Sequence, residues 1–179
     1  MSIYNFVSGL GVLAGAMLFS SVASAQAIRQ APIGEVMRPA NRAVVCMATS
    51  ANENAFGAAE TNAVRKARGL GHLRPSKKLA DAAARHACDM ARRNEMTHRG
   101  STTKGPSQRV RAAGYKTRIV AENIGKGFPQ ADGVLDAWVR STGHLENILL
   151  PQVRDFGIGK AVAADGQTGY WAAVYAADS

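Results

Sequence analysis

The end of the chain constrains the fold most. Phe156 to Ala164 and Tyr170 to Ala176 are two β-rich runs joined through Asp165-Gly166, the signal of a hairpin. Most of what precedes them has helical periodicity. Asn52 to Leu70 reads as a helix weakened at Gly57, with Gly69-Leu70-Gly71 suited to its C-terminus. A second helix runs from Ser76 to Asn94. A loop carrying His98, Gly100, Gly105 and Pro106 leads to a short helix, Ser107 to Ala113, closed by Gly114. Ile119 to Ile124 reads as a strand, Asp132 to Ser141 as a helix, and His144 to Leu150 as a short helix before Pro151. Helices, strand, helices and hairpin in that order predict an α+β domain whose helices cover an antiparallel sheet.

The other end has a different character. Leu10 to Phe19 is apolar but too short to cross a bilayer comfortably, and it is followed by small residues ending in Ala23-Ser24-Ala25. Residues 1–25 are therefore expected to be a secretory signal; an uncleaved N-terminal anchor is the alternative, because Met1 to Val7 carries no Lys or Arg. Residues 26–49, with Pro32, Gly34 and Pro39, read as an N-terminal arm, and 50–179 as the domain proper. The expected product is a protein secreted to the periplasm or the extracellular space. All 22 Lys and Arg and 13 Asp and Glu lie beyond the signal, so the formal charge of +9 belongs to the exported part. Such a surface attracts anionic polymers without specifying a function. The basic residues at Arg65-Lys66, Lys77-Lys78, Arg92-Arg93 and Arg109 to Arg111 have no interleaved aromatics, so they read as solvated helix faces and predict no specific nucleic-acid recognition.

Two cysteines, Cys46 and Cys88, make an even count in an exported chain, which favours a disulfide; two free thiols are the alternative, and no CxxC spacing supports a metal pair. On the second helix Leu79, Ala83, Ala87 and Met90 form the apolar stripe. Cys88 falls about 180° from Leu79 at roughly 100° per residue, where a second segment could reach it. A bridge would pin the arm to this helix and contribute about 3 to 4 kcal/mol on the loop-entropy model.

Several short stretches, in order, resemble the CAP superfamily (the SCP, or cysteine-rich secretory protein, antigen 5 and pathogenesis-related-1 domain) in its bacterial secreted branch. They are Gly69-Leu70-Gly71-His72-Leu73, Leu79 through Met90, Thr97-His98, Ala112-Ala113-Gly114-Tyr115, Ala121-Glu122-Asn123-Ile124, Trp138 with Ser141-Thr142-Gly143-His144, Asn147-Ile148-Leu149 and Phe156-Gly157-Ile158-Gly159. The resemblance implies a three-layer α-β-α sandwich around a central antiparallel sheet, with a large cleft. It also implies a cleft constellation of two histidines and two acids able to bind a divalent metal. Here His98, Glu122 and His144 match three of the four, while Ser141 stands where the second acid would fall.

Two imidazoles and a carboxylate suit zinc and leave a position open for water, as metal-assisted hydrolysis requires. The same trio also makes sense as a hydrogen-bonded network fixing loops around the sheet, because Glu122 alternates with Val120 and Ile124 on one strand face and needs partners there. His98 and His144 are the expected partners. Asn123 is expected to tie a neighbouring loop. Ser141 beside His144 invites a nucleophile-and-base reading, but capping of the short helix accounts for the hydroxyl. His86 lies on the apolar stripe as a core histidine, His72 is expected to be exposed, and Trp138 and Trp171 are expected to pack. Three functions follow: a module binding a small apolar or envelope-derived ligand, a metal-assisted nuclease or peptidase, and an envelope domain whose basic face meets anionic polymers. A monomer is expected, since no heptad or exposed apolar stripe stands out.

Overall fold

A computed structural model describes residues 43–178, so the signal and most of the arm lie outside the described residues. The chain forms β1 (Val45–Cys46), α1 (Ala51–Lys66), β2 (Arg74–Pro75), α2 (Lys77–Arg93), α3 (Pro106–Ala112), β3 (Thr117–Lys126), α4 (Ala131–Arg140), α5 (Thr142–Ile148), β4 (Asp155–Val162) and β5 (Gly169–Asp178). The helices begin and end where local chemistry directs. Ser50 and Glu53 form a reciprocal capping box at α1. Ser76 caps α2, and Asn94 closes it in the left-handed conformation with φ of 53°. The Asn94 Oδ1 then accepts from Tyr170 Oη and Lys126 Nζ, fastening the end of α2 to two strands.

The sheet runs β1-β4-β5-β3, with β2 parallel to β4 on the β1 side and the other pairings antiparallel. The hairpin of β4 and β5 is its centre. Alternation along β5 divides the core in two: Tyr170, Ala172, Val174 and Ala176 face α2 and α3, whereas Trp171, Ala173 and Tyr175 face α1, α4 and α5. Helices therefore cover both faces of one sheet, an α+β sandwich of three layers. The tightest contact is between α2 and β4. A Cβ on Gly157 would lie 2.1 Å from the Ala80 amide nitrogen, and one on Gly159 the same distance from that of Ala84. Only glycine lets this alanine-rich helix lie against the strand, and the close approach buries ten of the 17 residues of α2 while Lys77, Lys78, Arg85 and Arg92 stay exposed.

Cys46 and Cys88 are bonded. Cys88 is not off the core face, however. It is buried within the α2 cluster, where β1, the sheet strand beyond β4, brings Cys46 against it. The arm read from sequence thus contributes β1, whose Val45 and Cys46 pair with Val162 and Ala161.

Candidate functional site

β3 is the outer strand of the sheet, and its consecutive residues Glu122 and Asn123 point to opposite layers. Glu122 is 4 % exposed on the α2–α3 side. Its partner there is a cation that sequence reasoning assigned to a solvated face. Arg109 Nη2 donates to both carboxylate oxygens at 2.7 Å, while its Nη1 donates to the His98 carbonyl and to Thr103 Oγ1. His98 Nδ1 adds a bond of 2.9 Å to Glu122 Oε1, from a side chain 54 % exposed. His86 completes the cluster. It is a buried core histidine as expected, yet its Nε2 lies 3.7 Å from Glu122 while donating to the Thr97 carbonyl, and its Nδ1 has no partner among the described residues. Burial holds the His86 pKa below the ordinary histidine value, outweighing the attraction of Glu122.

His144 does not reach Glu122 as a hydrogen-bond partner. Its Nδ1 meets Ser141 Oγ at 2.9 Å, and its carbonyl accepts from Asn123 Nδ2. Ser141 occupies the N-cap position of α5, but its hydroxyl makes no capping bond, so the capping explanation gives way to the histidine contact. Burial lowers the pKa of His144 first, and the nearby His98 lowers it further. Asn123 ties a helix, α5, and not a loop: Asn147 Nδ2 donates to Asn123 Oδ1, and Asn123 Nδ2 also donates to Tyr175 Oη of β5. Asn147 Nδ2 and Trp138 Nε1 donate to the Glu122 and Ile124 carbonyls, so side chains of α4 and α5 occupy acceptors on the open edge of β3.

This arrangement does not suit a metal ion. Both oxygens of Glu122 are engaged by a guanidinium that is itself buried, and a cation would have to displace it. Among the described residues no group of three or more His, Cys, Asp or Glu is placed to hold one. The residue missed from sequence is Arg109. The available signal was the buried carboxylate itself, which calls for a positive partner, next to a short helix with two arginines. Arg65 is a second basic residue misread as solvated: it is fully buried, and its guanidinium donates to the carbonyls of Gly71, Ile148 and Leu150. His72 is exposed, and Trp138 and Trp171 are packed in the α1–α4–α5 core, as expected.

Of the cavities among the described residues, two stand out, and the larger is bordered by His86 and Arg109 of this cluster. One, of about 620 Å³, runs along the outer side of α2. The other, of about 590 Å³, sits between the first turns of α1 and α4, over β4 and β5.

Comparison with known proteins agrees with this architecture. The CAP model, described as the cysteine-rich secretory protein family, matches residues 58–175. The uncharacterized protein YkwD of Bacillus subtilis is 33% identical over 99 residues; the match takes in 55% of this chain but 38% of that protein. An outer surface protein from Borrelia burgdorferi superposes with a TM-score of 0.64 at 19% identity, covering 73% of this chain and 97% of that one. An extracellular protein containing a SCP domain from Bacillus anthracis gives a TM-score of 0.62 at 25% identity, covering 70% of this chain and 40% of that one. These two structures are described as outer-surface and extracellular proteins, and among the described residues no helix is long and apolar enough to cross a membrane. With the family model spanning α1 to β5, the chain belongs to the cysteine-rich secretory protein (CAP) family.

Proposed function

We propose that this is an exported ligand-binding module, and that its ligand is a small apolar molecule with an acidic end, taken into the cavity between α1 and α4. The observation that carries this reading is the chemistry of that cavity. Phe56, Met47, Ile158 and Trp171 give it apolar walls, and its 590 Å³ falls in the range of small-ligand sites. Phe56 and Met47 are 42 % and 38 % exposed, large apolar surface left uncovered at its mouth. Lys160 supplies the polar end. Its ammonium donates to the Pro129 carbonyl and sits 4.9 Å from the centre of the Trp171 ring, leaving donors for a carboxylate or phosphate. Both acids of the lining already have partners: Glu53 is engaged in the capping box of α1, and Asp132 accepts from the Gly133 amide.

In this reading the His98–Glu122–Arg109 cluster positions the loop after α2 and does not perform hydrolysis. The test pairs two titrations. A fluorescent long-chain carboxylate should bind saturably and quench tryptophan emission, and Phe56→Asp should abolish the effect while His98→Ala leaves it intact. Absence of saturable binding, or loss of it in His98→Ala, overturns the assignment. Zinc titrated into chelator-stripped protein should give no stoichiometric heat; stoichiometric binding lost in both His98→Ala and His144→Ala would transfer the reading to a metal-assisted hydrolase.

A further inference from the structure

The two helical layers differ in charge. The α2 and α3 helices carry seven Lys and Arg against two Asp and Glu, whereas α1, α4 and α5 together carry three against five. The positive charge of the helices is thus concentrated on one face of the sandwich, and the 620 Å³ cavity runs along that face. Arg85 and Arg92, both exposed, line it. The acids beside them are occupied elsewhere: Asp81 accepts from Lys77, and Asp89 accepts from Arg93 and from the Ser101 amide. Among the described residues neither Arg85 nor Arg92 meets a carboxylate in an ion pair. The opposite wall is the loop Ser101-Thr102-Thr103, a run of hydroxyls.

We infer that this groove is a second binding site, separate from the apolar cavity of the proposed function, and that it takes an extended phosphate-bearing polymer without aromatic bases. The spacing favours a polymer. Arg85 and Arg92 in the lining, and Lys78 outside it, recur every seven residues on one side of α2, about 10 Å apart at 1.5 Å per residue. A small anion would therefore meet one of them, while a linear polyanion running on past the groove would meet all three. Lys78 is spent only on a neutral acceptor, the Gly114 carbonyl, and keeps its charge uncompensated. The lining argues against bases and lipid tails. It holds no Trp, Tyr or Phe on which a base could stack or which could enter a bilayer, and cations, hydroxyls and small apolar residues make up most of it.

The test is titration of the full chain, with its disulfide intact, with inorganic polyphosphate at several salt concentrations. Saturable binding should persist at about 0.15 M salt, with an affinity that falls as salt rises. The double variant Arg85→Gln/Arg92→Gln should bind about 10-fold or more weakly and show a salt slope shallower by about one to two. Lys66→Gln/Arg68→Gln removes the same charge at the exposed end of α1 in the opposite layer and should change affinity by less than about 2-fold. Equal losses in the two double variants would reduce the groove to net charge and overturn the site. So would a failure to bind polyphosphate at that salt. An oligothymidylate bound at the groove more tightly than polyphosphate would overturn the choice of ligand, since bases would then be read. All four replaced residues are exposed, and matching melting temperatures will show that each variant is folded.

Discussion

The two helical layers cover the same sheet by different means. On one side, α2 lies against Gly157 and Gly159 with backbone-close packing, and its polar content is ionic: Glu122 and Arg109 form a buried ion pair, joined by a hydrogen bond from His98, beside buried His86. On the other side, larger side chains fill the space. Trp138, Phe156, Trp171 and Tyr175 separate helix from sheet, and the polar ties are amide and phenol groups, Asn123 with Asn147 and Tyr175. The exception is Arg65, a buried cation that meets only backbone carbonyls. The ionic side is rigid where a small residue is replaced by a larger one and vulnerable where a charge is removed. The amide side should tolerate more, and each side borders one of the two cavities.

The sharpest way to break this contrast is to remove one charge. Glu122→Ala leaves Arg109 buried without its carboxylate and should cost about 3 to 5 kcal/mol, whereas Asn123→Ala, one residue along and on the other face, should cost about 1 to 3 kcal/mol. Urea unfolding of the two variants measures both, and equal costs would erase the distinction. Next in size is the disulfide. Cys46→Ser with Cys88→Ser should cost about 3 to 4 kcal/mol through a loop of 42 residues, read as a lower midpoint in non-reducing urea. Gly157→Ala should then cost about 1 to 3 kcal/mol, because the new methyl meets helix backbone that cannot turn aside. By comparison, Gly57→Ala on the opposite layer meets the edge of the Phe156 ring at 2.9 Å and should cost less, part of the clash being offset by helix propensity.

The smallest effect is in pH. Burial depresses the pKa of both His86 and His144. Stability is therefore full above the ordinary histidine value of about 6.5 and declines as pH falls below it, because the unfolded chain takes up protons that the folded rings refuse. The melting temperature should fall between about pH 7.5 and about pH 5.5, and His86→Gln, which keeps a donor for the Thr97 carbonyl, should flatten that fall. An unchanged profile in the variant would show that His86 does not contribute.

Much of the fold was legible because it is written locally. Ser76 and Asn94 bound α2 in the sequence as in the structure, and Asp165-Gly166 marks the hairpin turn. The glycines at 157 and 159 stood in the family resemblance before their reason, contact with α2, was visible. What escaped was set by partners distant in the chain. β1 and β2 are two residues each, too short for any periodicity, and exist only because β4 offers an edge to both. The same holds for Glu122. Alternation placed its face correctly, but only the folded path of α3 brings Arg109 to it, and the same path leaves His144 to pair with Ser141. Charge counted along the sequence could not tell Arg65 and Arg109, which are buried, from Arg85 and Arg92, which are exposed.

Met47 and Ala48, immediately after the bonded Cys46, line both cavities. Two compartments of different character, one bordered by arginines and one by larger apolar side chains, therefore share a partition held by that covalent bond, by the pairing of Val45 and Cys46 with β4 and by Thr49 Oγ1 on the Ile158 carbonyl. Reduction would remove the covalent tie of the three, so a loosened partition would be felt at both compartments from one chemical event.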